Sequence, residues 1–148
     1  MGPSAGVFEG SEHVLPARVY YEDTDLTGVV YHANYLRYFE RGRSDFLRLA
    51  GVDHASLLAR DDPAAFTVTR ITITFHQAAR IDDALEVRTR FQHRRRVRLH
   101  AVQRILRGGV LLSTAEVEVV CIGPDGRVRR PPAELVAALT PLLSPKSP

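Results

Sequence analysis

The sequence predicts a single α+β domain in which an antiparallel sheet wraps around one long helix. Residues 33–50 carry apolar side chains at helical spacing, whereas four later segments alternate between apolar and polar residues. Glycine and proline turns separate several of these later segments, as hairpins require. One further apolar segment precedes the helix, so the expected order is strand, helix and four strands.

Length and composition agree with one domain, which we assign to residues 13–142 of the 148-residue chain. The apolar content of 45% and the charged content of 25% are ordinary for a globular protein. Residues 1–12 and 143–148 are rich in small, polar or proline residues, and we expect both ends to be flexible. The sequence has neither an apolar run of about 18 residues nor a secretory signal pattern, which predicts a cytoplasmic protein without a transmembrane segment.

The first strand is predicted at residues 13–21, where valine and tyrosine favour extended backbone. The helix is predicted at residues 33–50, with Gly51 suited to end it. Its apolar stripe consists of Tyr35, Phe39, Phe46 and Ala50. Gly42 in the middle of this helix costs up to about 1 kcal/mol relative to alanine, which suggests that the sheet approaches closely there.

The second half of the chain is predicted to be mostly strands. Asp53 is suited to cap a short second helix that runs to Arg60. The expected strands are residues 67–76, 85–91, 97–106 and 110–122. Gly108 and Gly109 mark a hairpin between the last two, and Pro132 opens a short final helix. These strands are expected to form a four-stranded antiparallel meander.

The charges and the cysteine content exclude several classes of protein. The net charge is +3, and Lys146 is the only lysine, so the basic side chains are almost all arginine. Arginine binds phosphate and carboxylate groups bidentately, but this modest charge does not require nucleic acid. Cys121 cannot form an internal disulfide and reads as a small buried residue. The histidines at 54, 76 and 100 show no ligand spacing, so no metal site is expected.

The segment of residues 20–35 carries more chemistry than any other. It reads Tyr-Tyr-Glu-Asp-Thr-Asp-Leu-Thr-Gly-Val-Val-Tyr-His-Ala-Asn-Tyr, an acidic turn followed by the start of the predicted helix. It combines the carboxylates of Asp23 and Asp25 with the imidazole of His32. A carboxylate facing the positive N-terminus of a helix supplies a base or nucleophile together with an electropositive backbone.

Three interpretations of this segment rest on the residues alone. The aspartates and Thr27 are common turn formers and helix caps, and this interpretation stays open. A calcium loop would need a bidentate glutamate where the sequence has Asn34. The acidic run also resembles the first motif of haloacid-dehalogenase-type phosphatases. Against that interpretation, no lysine precedes Lys146, the chain is short, and Asp82 and Asp83 read as a turn between antiparallel strands.

Residues 18–48 closely resemble the 4-hydroxybenzoyl-CoA thioesterase family, in particular its YbgC-like acyl-CoA thioesterases associated with the Tol-Pal system. The run Ala-Arg-Ile-Asp-Asp-Ala-Leu-Glu-Val at residues 79–87 and the arginine-rich turn at 94–96 are also similar, and the resemblance covers roughly residues 13–135. It implies the hotdog fold, an antiparallel sheet wrapped around one long central helix. It also implies a homodimer or homotetramer with active sites at the dimer interface.

The resemblance also implies the roles of individual residues. Asp25 matches the catalytic carboxylate, and Asp23 matches an earlier acidic position of structural role. His32 matches a helix-start position whose backbone N–H donates to the thioester carbonyl; its side chain is either a polar helix cap or a group that orients water or protonates the leaving sulfur. Gly28 keeps the turn tight. The positions expected to bind coenzyme A phosphates are Arg94, Arg95 and Arg96. On composition alone, these arginines also read as a solvated hairpin tip.

The resulting expectation is an acyl-CoA thioesterase that releases free acid and coenzyme A. No metal or other cofactor is expected, because coenzyme A is part of the substrate. An acyl carrier protein is a second expected carrier, and nucleic acid is not expected, since no aromatic residues interleave with the arginines. The alternative is a non-catalytic hotdog protein that binds acyl-CoA or acyl carrier protein. The acyl group stays open, as does the choice between nucleophile and general base for Asp25.

Overall fold

The computed structural model describes residues 5–95 and 98–145, and it leaves out the side chains of residues 93–95. Its strands are β1 (Val7–Glu9), β2 (Glu12–Arg18), β3 (Ala65–Phe75), β4 (Ala84–Arg95), β5 (Arg98–Arg107) and β6 (Val110–Ile122). Its α-helices are α1 (Asn34–Leu49), α2 (His54–Leu58) and α3 (Ala133–Leu139), and two 3-10 turns cover Tyr21–Asp23 and Thr140–Leu142. None of the helices in these ranges is long and apolar enough to cross a membrane. The predicted α+β class is confirmed.

Helix α1 forms close to its predicted position because its apolar stripe packs on the sheet. The stripe residues Tyr35, Phe39 and Phe46 are all buried. A Cβ atom on Gly42 would lie only 2.8 Å from both Thr89 Oγ1 and Val87 Cγ1 on β4. The predicted close approach of the sheet at this glycine is therefore confirmed.

The six strands form one antiparallel sheet in the order β1-β2-β4-β5-β6-β3. Strands β4, β5 and β6 form a meander as predicted, but β3 does not lie beside β4. It pairs instead with β6, where Ile73 lies opposite Ala115. The expectation of a four-stranded meander was wrong at this point because β2 occupies the other edge of β4, with Val14 opposite Arg88. Strand β3 is therefore left as a long edge of the sheet.

Part of the N-terminal segment that we expected to be flexible is held to the domain. Strand β1 pairs with β2, and the Gly6 N–H donates to Asp45 Oδ2 on α1 at 2.8 Å. The same carboxylate oxygen lies 2.8 Å from Nε2 of the fully buried His13. Burial lowers the pKa of His13, although its bond to Asp45 opposes that shift, so the ring is mainly neutral at pH 7. Asp45 thus anchors the N-terminal strand to the central helix.

Residues near the C-terminus also contact the sheet, although residues 143–148 were expected to be flexible. The Ser144 N–H donates to the Phe91 carbonyl at 2.8 Å, and its hydroxyl lies 3.0 Å from that of Ser11. Ser144 is buried, and it forms an isolated parallel bridge with Gln92. The chain up to Ser144 is therefore packed on β4.

Candidate active site

Asp25 lies in a tight turn between β2 and α1. Its Oδ1 accepts hydrogen bonds from the N–H and from the hydroxyl of Thr27, both at 2.7 Å. The Gly28 N–H donates to the Asp25 carbonyl at 3.3 Å, and Gly28 has a φ of +83° that side-chain-bearing residues avoid. The turn-forming role predicted for these residues is confirmed.

The Asp25 carboxylate is exposed and ionised at neutral pH. Hydrogen bonds from the Thr27 hydroxyl and N–H hold its pKa below the ordinary aspartate value. Both of these bonds use Oδ1, and the backbone N–H groups of Val29 and Asp25 lower the pKa further by smaller amounts. The ionised carboxylate thus stays exposed on the turn.

The turn is the tip of a short hairpin. Its near arm, residues 20–24, precedes Asp25, its far arm, residues 29–31, follows the turn, and backbone contacts join the two arms. Thr24 and Val30 form an isolated antiparallel bridge, and the Asp25 N–H donates to the Val29 carbonyl at 2.9 Å. The Val30 N–H then donates to the Ala79 carbonyl at 2.8 Å, in the segment that connects β3 to β4. The position of Asp25 is thus fixed by backbone contacts on the far arm as well as within its own turn.

Asp23 holds the near arm of the same hairpin. Its carboxylate accepts the Tyr20 N–H at 2.9 Å. Its backbone carbonyl accepts the Tyr31 N–H at 2.9 Å and Nδ2 of Asn34 at 2.8 Å. The Tyr38 hydroxyl is buried near this carboxylate, and burial together with the negative charge raises its pKa. These contacts are structural, in agreement with the role expected for Asp23.

Helix α1 begins without a side-chain cap. Ala33 is its N-cap residue and already has helical backbone angles, with φ −68° and ψ −21°. The Asn34 and Tyr35 N–H groups donate to the Tyr31 and His32 carbonyls at 2.8 and 3.4 Å. In the described part of the chain, the N–H groups of His32 and Ala33 have no hydrogen-bond acceptor. The positive end of the helix therefore presents two unpaired donors.

The His32 side chain is exposed beside these donors. Its ring lies edge-on to the Tyr31 ring, with 4.6 Å between the ring centroids. It makes no capping hydrogen bond to α1. Of the two roles that the sequence left open for this side chain, the helix cap is therefore not observed.

Two of the three arginines predicted to bind coenzyme A phosphates, Arg94 and Arg95, are the last residues of β4. Their side chains lie outside the described residues, as does all of Arg96. Contact between these arginines and phosphate stays a prediction.

The scattered histidines have separate partners. His54 Nε2 lies 3.2 Å from the Ser44 hydroxyl, and His76 Nε2 lies 3.4 Å from the Thr114 hydroxyl. Over residues 5–95 and 98–145, no three His, Cys, Asp or Glu side chains are grouped so that they could hold a metal ion. The described site thus consists of carboxylate, imidazole and backbone groups.

Sequence reasoning missed two side chains at this site. Asn34 reaches back from the first position of α1 to Asp23, and the Tyr35 hydroxyl accepts the Ala79 N–H at 3.0 Å. Asn34 gave one signal in the sequence, since it is a polar residue at a predicted helix start. Tyr35 was predicted to belong to the apolar stripe of the helix, and nothing in the sequence indicated Ala79 as a partner of its hydroxyl.

Comparison with known proteins identifies the family. Residues 19–139 match the family model described as the thioesterase-like superfamily. Acyl-CoA thioester hydrolase YbgC of Escherichia coli is 44% identical over 110 residues, which cover 74% of this chain and 81% of that protein. Acyl-CoA thioesterase YbgC of Haemophilus influenzae is 42% identical over 108 residues, which cover 73% and 79%.

A solved structure shows the same fold. The crystal structure of a probable thioesterase from Bartonella henselae has a TM-score of 0.79 and 42% sequence identity, and the match covers 82% of this chain and 99% of that chain. The family match begins at Val19 and so includes the Asp25 turn, helix α1 and strands β3 to β6. The resemblance drawn from the sequence and the hotdog fold that it implied are confirmed, and this chain belongs to the thioesterase-like superfamily.

Proposed function

We propose that this chain hydrolyses the thioester bond of an acyl-CoA to free acid and coenzyme A. One observation carries the proposal: the exposed, ionised carboxylate of Asp25 sits on a turn that is tied to a helix start with unpaired N–H groups. Acyl transfer needs a group that attacks or activates water and a group that stabilises the developing oxyanion. The relatives named acyl-CoA thioester hydrolases support the same reaction.

The N–H groups of His32 and Ala33 form the proposed oxyanion site. Attack on a thioester places negative charge on the carbonyl oxygen, and a helix N-terminus stabilises such charge without reorganisation. Loss of one donor of this kind typically reduces the rate by about 10²–10³. The exposed His32 imidazole is suited to orient water or to protonate the departing sulfur.

Asp25 supports two balanced routes. In the first, a carboxylate oxygen bonds to the acyl carbon, the carbon–sulfur bond breaks and the thiolate leaves. Water then hydrolyses the mixed anhydride, which restores the carboxylate, and the proton released from water ends on the thiolate. In the second route, Asp25 takes a proton from water as that water attacks the acyl carbon, and the proton passes to the thiolate. Both routes require the ionised form of Asp25.

The arginine turn is the proposed site for the phosphates of coenzyme A. Guanidinium groups bind phosphate bidentately, and hydrogen bonds to charged groups contribute about 1.5–3 kcal/mol each. Replacement of Arg94, Arg95 and Arg96 by glutamine should raise the KM for acyl-CoA by roughly tenfold or more. The KM for a pantetheine thioester, which lacks these phosphates, should not change. An equal rise in both KM values would contradict the phosphate contact.

The exposed edge of the sheet supports a proposed homodimer. Strand β3 is a long edge with one pairing side unused, and Val68 and Phe75 on it are 43% and 50% exposed. We expect a second copy to pair there, so that a charge on this edge, as in Val68→Asp, should produce monomers in sedimentation equilibrium. An unchanged mass would place the contact elsewhere. A tetramer, an acyl carrier protein substrate and a cytoplasmic location stay predictions.

The decisive experiment measures thiol release from a panel of acyl-CoAs and acyl carrier protein thioesters. The panel should include short, long and aromatic acyl groups, with Asp25→Asn assayed in parallel. We expect turnover by the parent protein and its loss in the variant, with the melting temperature retained. An inactive parent would overturn the proposal in favour of a non-catalytic acyl-binding protein. Retained turnover in Asp25→Asn would overturn the role of Asp25.

A further inference from the structure

We propose that Asn34 and Tyr35 are positioning residues that hold the two arms of the Asp25 hairpin against the start of α1. The inference rests on the proposed thioesterase function and adds two residues to it. It starts from a juxtaposition in the structure: consecutive residues in the first turn of α1 each hold a different arm of the hairpin.

Asn34 holds the near arm. Its Nδ2 donates to the Asp23 carbonyl at 2.8 Å, next to the Tyr31 N–H, which donates to the same oxygen at 2.9 Å. Asp23 lies two residues before Asp25, and Thr24, which lies between them, bridges to Val30 on the far arm. Asn34 is the first residue of α1 and not its N-cap, which is Ala33. The side chain therefore joins the helix to the hairpin.

Tyr35 holds the far arm through one intermediate residue. Its hydroxyl accepts the Ala79 N–H at 3.0 Å, and the Ala79 carbonyl accepts the Val30 N–H at 2.8 Å. Tyr35 is 3% exposed and Ala79 is fully buried. Loss of the hydroxyl would leave a buried N–H without an acceptor, which the surrounding backbone relieves only by moving.

The two contacts make the hairpin and the helix start one rigid unit. The carboxylate of Asp25 and the unpaired donors of His32 and Ala33 must meet at one thioester group, and catalytic groups tolerate misplacement of only about 0.5 Å. Displacement by about 1 Å can cost roughly 10²-fold in rate. Asn34 and Tyr35 therefore act on the reaction through the placement of Asp25, without touching the substrate.

Asn34→Asp separates a positioning role from a merely structural one. The variant keeps the size of the side chain and adds negative charge at a helix N-terminus, where such charge is favourable. It also replaces the N–H donor with an oxygen that repels the Asp23 carbonyl. The fold is therefore retained while the contact to the hairpin is lost. Tyr35→Phe makes the corresponding change on the far arm.

The first readout is steady-state kinetics on the best acyl-CoA of the panel. We expect kcat per folded molecule to fall by roughly 10-fold to 100-fold in Asn34→Asp and in Tyr35→Phe, with KM changed by less than about twofold. Ser44→Ala is the matched control, because the Ser44 hydroxyl bonds Glu40 and His54, away from the Asp25 hairpin. An unchanged kcat per folded molecule, or a higher KM at unchanged kcat, would overturn the positioning role.

The second readout does not depend on activity. Hydrogen–deuterium exchange should become faster at the Asp25 and Tyr31 amides in Asn34→Asp, because both amides are hydrogen-bonded within the hairpin. It should stay unchanged in Ser44→Ala. Unchanged exchange in Asn34→Asp would overturn the proposal even if activity fell. If the parent protein is inactive on the whole panel, the proposed function fails, and exchange alone then decides whether Asn34 holds the hairpin.

Discussion

Two exposed turns of this molecule have nearly the same local chemistry. At Asp25, Oδ1 accepts the Thr27 N–H at 2.7 Å, and the turn contains a glycine with a φ of +83°. At Asp125, Oδ1 accepts the Arg127 N–H at 3.0 Å, and the next residue is a glycine with a φ of +77°. An aspartate that bonds a backbone N–H two residues later is a common turn former.

The two turns differ in what faces them. The Asp25 turn is joined through Asp23 and Asn34 to the start of α1, where two N–H groups are unpaired. The Asp125 turn follows the end of β6, and Asp125 Oδ2 lies 3.9 Å from Nε of Arg127 in the same turn. The proposed chemistry therefore depends on contacts outside the turn itself, which join the turn of one of two similar aspartates to a helix N-terminus.

The sharpest test of this comparison replaces each aspartate by asparagine. Asp25→Asn should lower kcat by about 10²–10⁴, because the neutral amide can neither attack nor accept a proton. Asp125→Asn should leave kcat within about twofold of the parent value. Asparagine also forms such turns, so both variants should keep their melting temperatures. A similar loss of activity in the two variants would mean that the comparison fails.

Alanine at the two turn glycines should separate stability from activity. A Cβ atom would meet nothing within 4 Å at Gly28 or Gly126. The positive φ alone should therefore lower the free energy of unfolding, by about 1–2 kcal/mol in each alanine variant. Urea unfolding should therefore give similar losses for Gly28→Ala and Gly126→Ala. Only Gly28→Ala should lower kcat, since relief of the strain moves Asp25. Equal activity of the two variants would show that turn geometry does not limit the reaction.

The smallest expected effect is on pH dependence. The Thr27 hydroxyl is the main cause of the lowered pKa of Asp25, so Thr27→Ala should raise that pKa toward the ordinary value. Because both proposed routes require the ionised carboxylate, the acid limb of kcat/KM should then move to higher pH. Arg127→Ala at the other turn should leave the profile unchanged. If the acid limb does not move in Thr27→Ala, the group that titrates there is not Asp25.

Sequence reasoning succeeded where structure depends on near neighbours. Helix α1 was predicted at residues 33–50 and is found at Asn34–Leu49, because its apolar stripe repeats along one short segment. The cap of α2 was predicted from Asp53, whose Oδ1 accepts the Ser56 N–H at 2.7 Å. The Asp25 turn belongs to the same class of local feature.

Contacts between distant residues could not be predicted in this way. The strand order depends on β2 taking one edge of β4, and no pattern within β3 specifies β6 as its neighbour. Asp45 is paired with His13, 32 positions earlier, by the packing of α1 on β2. Likewise, the Tyr35 hydroxyl meets an N–H 44 positions later. A tyrosine in a helical stripe reads as core packing until the fold brings Ala79 to it.

Gly42 gives the central helix a mechanical role. The Gln103 amide donates to the Phe39 carbonyl at 2.8 Å, and Gly42 lies against Thr89, so the middle of α1 is pinned to the sheet at one small patch. The helix runs about 12 Å from this patch to its first residue, Asn34, at 1.5 Å per residue. A methyl group at position 42 would push the middle of α1 away from the sheet and tilt the helix, whose N-terminus carries the proposed oxyanion donors. The proposed alignment of Asp25 with these donors therefore depends partly on the absence of a side chain at Gly42.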